Sequence, residues 1–588
     1  ERQLDALTFD AVYCGAESSE LTHDTVATPG SYAGQLGLYS VRDIRTGQVY
    51  KTSVRLPSNG PCSIAITYWG GEFRRQFTVR IADTAIMQCL ELDKPNQPVT
   101  FCYPIPDDAP RDIPLSVSID PEPGGYAGLV LSIRSIRITS PNHQPFKGET
   151  TMQTTPQLTP IRHTEITFRD NFWKPRVDRN RDITLPHVLE KCEETGRFGN
   201  HRAAARKNQG NRTPQTCEGY CFNDSDVYKT IEGAANILAV KRDAKIERRV
   251  DSIIALIAQA QEPDGYLYSP KTIGDPNNLP PGGTKRWESM DASHELYCVG
   301  HLYEAAVAHF RATGKRNLLN IAIKNANLVV ATFGPGKRGN IDGHPEVELG
   351  LSDLYGATGD ARYLRLAQWF LARRGDASRK DLVGEYAQDH KPLVKQDEAV
   401  GHAVRAAYCF GAAEYVGDLA QDASLRAVAD RLWDDVVGYK MYITGGIGSR
   451  GSGEALGDRY ELPNRTAYQE TCASIAFANW TNRMGMRYAD AKYADVLERT
   501  VYNAVLSGVG LSGKNFFYVN SLQSDNGSFR PDWFGCACCP PNVLRFIGSI
   551  GKLFAATGGA TLYLNLFAAS DISTTTAAGP INVAIDTV

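Results

Sequence analysis

The chain has 588 residues, and its 63 lysines and arginines against 66 aspartates and glutamates give a formal charge of −3. Hydrophobic residues make up 42% and charged residues 22%, the composition of a soluble globular protein. The near-neutral charge argues against a nucleic-acid binder, and no apolar run approaches the roughly 18 residues of a membrane span. The length predicts several domains and leaves 13 cysteines to be explained.

Residues 1–140 have the pattern of an antiparallel β structure. Short alternating runs at 63–69, 77–82, 115–119 and 129–138 are separated by Gly, Pro and Asp. This pattern predicts a β-sandwich accessory domain. The chain starts at Glu1 without a signal peptide, and we expect it to have been processed or trimmed. Residues 141–182, rich in Ser, Pro and Thr at first, predict a linker and a strand leading into the next domain.

Residues 183–556 carry long helical patterns with a weak repeat. The junction RATGKRNLLNIA (311–322) resembles GATGDARYLRLA (356–367), and 416–429 and 483–498 follow the same plan. Residues 239–257 and 554–564 are interpreted as degenerate first and last copies. Helix pairs recurring at about 45–70 residues predict a solenoid or a closed toroid. The long, variable loops favour a closed (α/α)6 barrel whose inner helix ends line one central pocket.

The last residues, 557–588, return to strand-like patterns in LYLNLF (562–567) and INVAIDTV (581–588). We interpret them as the start of a C-terminal β-sandwich that is incomplete in this chain. The predicted fold class is therefore a multidomain protein with an (α/α)6 barrel catalytic domain and β-sandwich accessory domains.

Two short stretches carry residues with metal-ligand chemistry. WFGCACCPPNVLRF (533–546) places Cys536, Cys538 and Cys539 within four positions, before a stiff Pro-Pro pair. YQETCASIAFANW (468–480) begins a helical pattern with Glu470 and Cys472 at its start. One carboxylate and three thiolates are ligands that zinc accepts. The residues alone leave open small buried side chains or an exposed disulfide.

The glycine-rich stretch TGGIGSRGSGEALGDRYELPN (444–464) contains two acidic candidates, Glu454 and Glu461. It lacks the Lys-Ser/Thr of a P-loop, so phosphate binding is not indicated. The loop either lays one carboxyl group over a pocket as a general acid/base or is a flexible surface loop.

Three histidines stand at comparable places in successive repeats. His294, His344 and His402 each lie near the start of an inner-helix candidate, where a toroid would point them into the pocket. Tyr518, in NFFYVNSLQ (515–523), suits sugar stacking and hydrogen bonding. A lone histidine more often packs or caps, but three at equivalent places in successive repeats favour contacts with a polar ligand. Tyr518 equally suits core packing.

Taken together, these motifs resemble glycoside hydrolase family 127, the β-L-arabinofuranosidase family, and the related family 146. The resemblance rests on HELY, VGHAVRA, GGIGSxGxGEA, LPNxxAYxETCAS, FFYVN and CACCPPN, and it spans roughly residues 165–570. It implies an (α/α)6 barrel with β-sandwich domains. It also implies an exo-acting enzyme that releases terminal β-L-arabinofuranosyl groups from glycans or glycoproteins with retention.

The resemblance also implies roles for individual residues. The zinc ligands would be Glu470, Cys472, Cys538 and Cys539. Cys538 would be the nucleophile and Glu454 the acid/base, and Cys536 is left as a packing residue. The residues that hold the sugar hydroxyls would be His294, His344, His402 and Tyr518.

Other functions remain open from the sequence. They are a hydrolase of another terminal sugar, an (α/α)6-barrel epimerase or lyase using histidines, and a non-catalytic sugar-binding protein with structural zinc. The expected partner is a carbohydrate, without nucleic acid or membrane, and a homodimer is open. Zinc-bound thiolates favour a reducing compartment, hence the cytoplasm over secretion. Disulfides among Cys14, Cys62, Cys89 and Cys102 would indicate the opposite.

Overall fold

The computed structural model describes residues 158–524 and 527–587 and, in the N-terminal part, the residues 8–13, 26–27, 32–36, 39–45, 50–56, 62–69, 76–81, 84–90, 98–105, 115–121 and 126–137. The chain divides into two compact units, Glu1–Gln153 and Thr154–Val588. The predicted linker falls mostly outside the described residues, and the predicted domain limits at 140, 182 and 556 stay predictions.

The N-terminal unit is built from antiparallel strands. A six-stranded sheet has the order β3-β4-β11-β6-β9 with β1 also on β11, and a five-stranded sheet has the order β2-β5-β10-β7-β8, both within the described residues. The runs 63–69 and 115–119 lie in strands, as do the described parts of the other two, 77–81 and 129–137. The disulfide prediction concerns side chains outside the described part. The strands are β1 Thr8–Tyr13, β2 Val26–Ala27, β3 Tyr32–Leu36, β4 Tyr39–Arg45, β5 Tyr50–Val54, β6 Cys62–Trp69, β7 Gln76–Ile81, β8 Thr84–Leu90, β9 Pro98–Pro104, β10 Leu115–Pro121 and β11 Tyr126–Arg137.

The second unit is mostly helical. Its short strands β12 Thr159–Pro160, β13 Ile166–Phe168, β14 Gly401–His402 and β15 Ala455–Leu456 lie between or before the helices. The helices are α1 Trp173–Arg179, α2 Leu185–Glu194, α3 Arg197–Asn208, α4 Asp224–Val240, α5 Ala244–Ala260, α6 Ser269–Ile273, α7 Met290–Ser293, α8 Glu295–Thr313, α9 Asn317–Thr332, α10 Val347–Thr358, α11 Ala361–Arg373, α12 Ala403–Leu419, α13 Ala423–Asp435, α14 Thr471–Tyr488, α15 Ala491–Arg499 and α16 Cys539–Gly548.

Six of these helices pack side by side in a ring. Helix α4 packs on α8, α8 on α10, α10 on α12, α12 on α14, α14 on α16, and α16 returns to α4. The ring helices are buried on nearly all sides; α12, for example, is buried over most of its length. Helices that follow them in the chain, such as α11 and α15, keep one apolar face on the ring and expose the other. This difference follows from sequence, because a helix that is apolar all round is stable only when surrounded.

One close approach between neighbouring ring helices depends on two glycines. A Cβ on Gly350 of α10 would lie 2.4 Å from the backbone oxygen of Gly300 on α8. A Cβ on Gly300 would lie 2.6 Å from the side chain of Glu346. Any larger residue would force these helices apart, and with them the pocket walls at their N-terminal ends.

The C-terminal residues form strands β16 Ala555–Gly558, β17 Thr561–Leu564, β18 Ser570–Thr576 and β19 Gly579–Ile585. The prediction of a last helix pair at 554–564 is wrong, because β16 and β17 form an antiparallel hairpin there. Its two-residue turn contains Gly559 at φ 58°, a conformation that glycine adopts without strain. Strand β16 also pairs with β12, and β18 with β13. Among the described residues, no helix has both the length and the apolar character needed to cross a membrane.

Candidate active site

Two neighbouring ring helices begin at the same end of the ring and bring the predicted ligands together. Glu470 caps α14 and Cys472 is its second residue, while Cys538 caps α16 and Cys539 is its first residue. Pro540 and Pro541 fill the first turn of α16, where proline is tolerated because no hydrogen-bond donor is needed. Thiolates are favoured at helix N-termini, where the helix dipole is positive.

The four side chains form a compact cluster. The ligand atoms of Glu470, Cys472, Cys538 and Cys539 all lie within 4.8 Å of one another. The Sγ of Cys472 lies 3.5 Å from that of Cys538 and 3.4 Å from that of Cys539. The Sγ of Cys538 lies 3.4 Å from Oε1 of Glu470. The sequence-predicted ligand set is thus brought together in full, as a cluster able to hold a metal ion.

The close packing of these groups shifts the pKa values of Glu470 and Cys472 in opposite directions. Burial, and then the negative charge of Cys538, raise the pKa of Glu470 well above its usual range. Burial raises the pKa of Cys472, but contacts with the thiols of Cys538 and Cys539 bring it down to about 6. The Oε2 atom of Glu470 is buried with no hydrogen-bond partner among the described residues. A buried carboxylate oxygen without a partner beside three thiols is the environment that a bound metal ion satisfies.

Glu454 is held over the same pocket by a short strand pair. Strand β14 pairs with β15 so that His402 stands opposite Ala455, the residue after Glu454. The Nδ1 atom of His402 accepts the backbone N–H of Val404 at 3.2 Å, so in the neutral ring Nε2 carries the proton. Nε2 lies 2.6 Å from Oε2 of Glu454 and donates to it.

Two tyrosines complete the environment of this carboxylate. The Tyr468 hydroxyl donates to Oε1 of Glu454 at 2.8 Å, and the Tyr518 hydroxyl donates at 3.4 Å. Burial raises the pKa of Glu454, but hydrogen bonds from His402 and these tyrosines outweigh it and hold the pKa below its ordinary value. Glu454 also has φ 50°, a left-handed conformation that costs a non-glycine residue energy and is frequent at functional sites.

The other sequence-predicted residues line the same pocket. His294 and His344 lie 6.0 Å apart between ring centroids, and His344 and His402 lie 6.1 Å apart. Nδ1 of His294 donates to the backbone oxygen of Ala292 at 2.6 Å, which leaves Nε2 as an acceptor. Burial lowers the pKa of His294 to about 3 and that of His344 well below its usual range, so both rings are neutral.

The pocket encloses a volume of about 500 Å³, within the size range of small-molecule sites. It combines aromatic rings with a few polar groups. Its walls are Tyr220, Phe222, His294, Tyr297, His344, Tyr386, His402, Val404, Arg405, Tyr408, Glu454, Tyr468, Glu470, Cys472, Tyr518, Cys536, Cys538 and Asn542. Glu461, the second acidic candidate, instead pairs with Arg450.

Sequence reasoning missed two buried cations. Arg405 is 4% exposed, and its Nε and Nη1 atoms have no hydrogen-bond partner among the described residues. Lys229 is 1% exposed, and its Nζ donates to the Tyr297 hydroxyl at 2.7 Å. Burial lowers the pKa of Lys229, but Asp226 and other nearby groups raise it above its ordinary value. Arg405 could have been found from the sequence, because it lies three residues after His402 at the start of the same helix. No feature of the sequence points to Lys229.

A buried arginine of α16 donates hydrogen bonds to two residues that line the pocket. Arg545 of α16 donates through Nε to Oδ1 of Asn542 at 2.7 Å and through Nη2 to the Tyr408 hydroxyl at 2.9 Å. Its Nη1 donates to Glu232 at 2.8 Å and to Glu304 at 2.5 Å. Asn542 and Tyr408 line the pocket, so Arg545 connects the pocket lining to the carboxylates of Glu232 and Glu304.

Comparison with known proteins first identifies the class of protein to which the chain belongs. Residues 165–552 match the family model described as beta-L-arabinofuranosidase, GH127 catalytic domain. The members of this family are glycosidases, and this chain is therefore a glycosidase.

Individual relatives agree with the family match. The chain is 36% identical over 454 residues to the non-reducing end beta-L-arabinofuranosidase of Bifidobacterium longum subsp. longum, which covers 69% of this chain and 68% of the relative. A solved GH127 beta-arabinofuranosidase has a TM-score of 0.69 and 44% identity, covering 73% of this chain and 67% of that one. The GH127 beta-L-arabinofuranosidase of Geobacillus stearothermophilus T6 has a TM-score of 0.67 and 39% identity, covering 72% and 70%. The chain belongs to glycoside hydrolase family 127, which confirms the resemblance.

Proposed function

We propose that this chain is a retaining exo-glycosidase that releases terminal β-L-arabinofuranosyl groups. Its membership of family 127 supports the activity. The observation that carries the mechanism is the cluster of Glu470, Cys472, Cys538 and Cys539 on a pocket that Glu454 overhangs. As part of the same proposal, the helix ring is an (α/α)6 barrel, the two N-terminal sheets form a β-sandwich, and the C-terminal strands belong to a second.

We propose Zn²⁺ as the metal at this cluster. Two sulfurs that each lie about 2.3 Å from a tetrahedral zinc are about 3.8 Å apart. The sulfur–sulfur separations here, 3.4, 3.5 and 3.8 Å, support that geometry after small adjustments. When bound, the ion would keep its thiols ionised at neutral pH.

The first step uses two residues of the chain. The Sγ of Cys538 attacks the anomeric carbon, a C–S bond forms and the glycosidic C–O bond breaks. Glu454 gives its proton to the departing oxygen. In the second step Glu454 takes a proton from water, the water oxygen attacks the anomeric carbon, and the thiolate leaves. Glu454 thus has the two roles that the acid/base carboxyl has in other retaining glycosidases.

The neighbours of Glu454 favour the form needed in the second step. His402 and Tyr468 both donate to the carboxylate, which favours the ionised, basic form. His402 and Tyr468 also fix the carboxylate in one orientation, which reduces the freedom lost in the transition state.

The remaining pocket residues suit a small polyhydroxylated ligand. Nε2 of His294 and of His344 are acceptors for sugar hydroxyl groups, given the hydrogen bonds that their Nδ1 atoms make. The Tyr518 hydroxyl donates its proton to Glu454, so its oxygen is left to accept from a sugar hydroxyl, and Arg405 adds a positive charge to the same pocket lining. We propose that His294, His344, His402 and Tyr518 hold the sugar ring.

The test is a set of assays on a panel of p-nitrophenyl furanosides and pyranosides, with metal analysis of each variant. Cys538→Ser is expected to reduce kcat at least about a thousandfold, with Cys192→Ser, a buried cysteine of α2 outside the pocket, as the matched control. Glu454→Gln is expected to cost roughly 10²- to 10⁴-fold on an alkyl or sugar leaving group, and less on p-nitrophenol, which leaves without a proton. Activity that survives both substitutions would exclude the mechanism, and failure to cleave the β-L-arabinofuranoside would exclude the substrate.

A further inference from the structure

An aromatic groove adjoins the pocket, and the proposed mechanism gives it no role. It encloses about 430 Å³, comparable with the pocket itself. Four of its walls are aromatic rings, and no lysine, arginine, aspartate or glutamate lines it among the described residues. We call it the outer groove; it is lined by Phe517, Tyr518, Val519, Ser521, Gly527, Ser528, Phe529, Pro531, Phe534 and Cys536.

The outer groove shares a wall with the pocket. Tyr518 and Cys536 line both spaces. The Tyr518 hydroxyl lies 3.8 Å from Sγ of Cys536 and 3.4 Å from Oε1 of Glu454. Tyr518 and Cys536 thus lie between the two spaces, and the outer groove begins on the far side of Tyr518 from Glu454.

The chemistry decides which part of a substrate lies on that side. A general acid must stand within hydrogen-bonding reach of the atom that it protonates, which is the oxygen joining the terminal sugar to the rest of the substrate. Glu454 is that acid in the proposed mechanism, and Tyr518 is its neighbour. The leaving group is thus next to Tyr518 when the bond breaks, and the outer groove begins there.

The exposed ring of Phe529 is unusual at this place. Phe529 is 74% exposed, although the residues after it are fixed. Arg530 donates through Nε to the backbone oxygen of Ser507 at 2.9 Å, and the backbone oxygen of Pro531 accepts from Phe516 at 2.8 Å. An exposed aromatic residue beside a fixed backbone offers a flat apolar face at little entropic cost, which suits contact with the C–H face of a sugar ring.

We propose that the outer groove binds the leaving group, and that this group is a neutral sugar or sugar-like unit stacked on Phe529. The proposal rests on the proposed function, because it takes Glu454 as the acid. Among the described residues the lining carries no charged side chain, which favours a neutral unit over an acidic sugar. Phe529 is in this view a specificity-determining residue, which acts on the leaving group and not on the sugar that is released.

The experiment compares two substrates that differ only in the leaving group. One is methyl β-L-arabinofuranoside, and the other is a neutral disaccharide with the same terminal β-L-arabinofuranosyl group. Phe529→Ala is expected to reduce kcat/KM for the disaccharide roughly tenfold and to leave the methyl glycoside within twofold. The matched control is Phe567→Ala, a second exposed phenylalanine, 58% exposed and not among the residues that line the groove. It is expected to change neither substrate.

Two results would overturn the proposal. One is an equal loss for both substrates in Phe529→Ala, which would place its effect on the released sugar or on folding. The other is no loss for the disaccharide. If wild-type enzyme cleaves no β-L-arabinofuranoside, the proposed function fails, and the same comparison is made with the terminal sugar that the panel identifies. The groove is then still tested, since the ratio between the two leaving groups does not depend on which sugar is released.

Discussion

Replacement of Arg545 by methionine tests how much the charge network below the pocket contributes to stability. The guanidinium is 6% exposed and donates to Glu232, Glu304, Asn542 and the Tyr408 hydroxyl. Methionine fills much of the same volume but leaves two partly buried carboxylates, with side chains 15% and 13% exposed, without their cation. Breaking a buried ion pair in this way costs about 3–5 kcal/mol. We therefore expect the free energy of unfolding to fall by about 4 kcal/mol in urea titrations followed by tryptophan fluorescence.

A surface pair provides the control for this measurement. Arg162 pairs with Glu165, and its side chain is 78% exposed, so Arg162→Met is expected to cost less than about 1 kcal/mol. Adding Glu304→Gln to Arg545→Met removes one uncompensated charge and should restore part of the lost stability. A loss below about 1 kcal/mol in Arg545→Met, or no recovery in the double variant, would refute the reasoning.

Two further predictions concern pH. Tyr468→Phe removes a hydrogen bond that favours ionised Glu454, so the pKa of Glu454 should rise. The basic limb of the plot of kcat/KM against pH should then move up by about one pH unit. The control is Tyr460→Phe, in the same loop and 71% exposed, which should leave that limb in place. A downward shift or no shift in Tyr468→Phe would contradict the assignment. Burial, and then the charge of Lys552, lower the pKa of His163 to about 4, although its hydrogen bond to Asn236 opposes this. Between its usual pKa near 6.5 and about 4 the unfolded chain binds more protons, so stability falls as the pH falls. In urea titrations the free energy of unfolding of His163→Gln should therefore fall less between about pH 6.5 and 4.5 than that of the wild type. An equal fall in the two proteins would contradict this prediction.

The thiol cluster could be predicted from sequence because its residues are locally unusual. Adjacent cysteines before two prolines, and a carboxylate two residues before a cysteine, stand out in any helical pattern. The structure brings both stretches to one end of the ring, since each opens a helix whose N-terminus faces the pocket. His294 and His402 were found in the same way, because each immediately precedes a ring helix.

The charge network could not be predicted, because nothing local distinguishes its members. Lys229, Glu304 and Arg545 lie within helices where charged residues ordinarily face water. Only the closure of the ring, a long-range event, turns these positions inward. The hairpin at 554–564 was missed for a related reason. A short run with alternating apolar residues fits a helix end or a strand, and the pairing partner decides which.

Helix α16 has a consequence for the order in which the protein is made. During synthesis Cys472 emerges 66 residues ahead of Cys538. The ring cannot close until α16 has been synthesised, because α16 is the last ring helix in the chain and packs on the first, α4. Until then the cysteines of the cluster are separate, accessible thiols that are open to oxidation. The same ten-residue helix that closes the ring also starts with Cys539, so one segment completes both the thiol cluster and the ring.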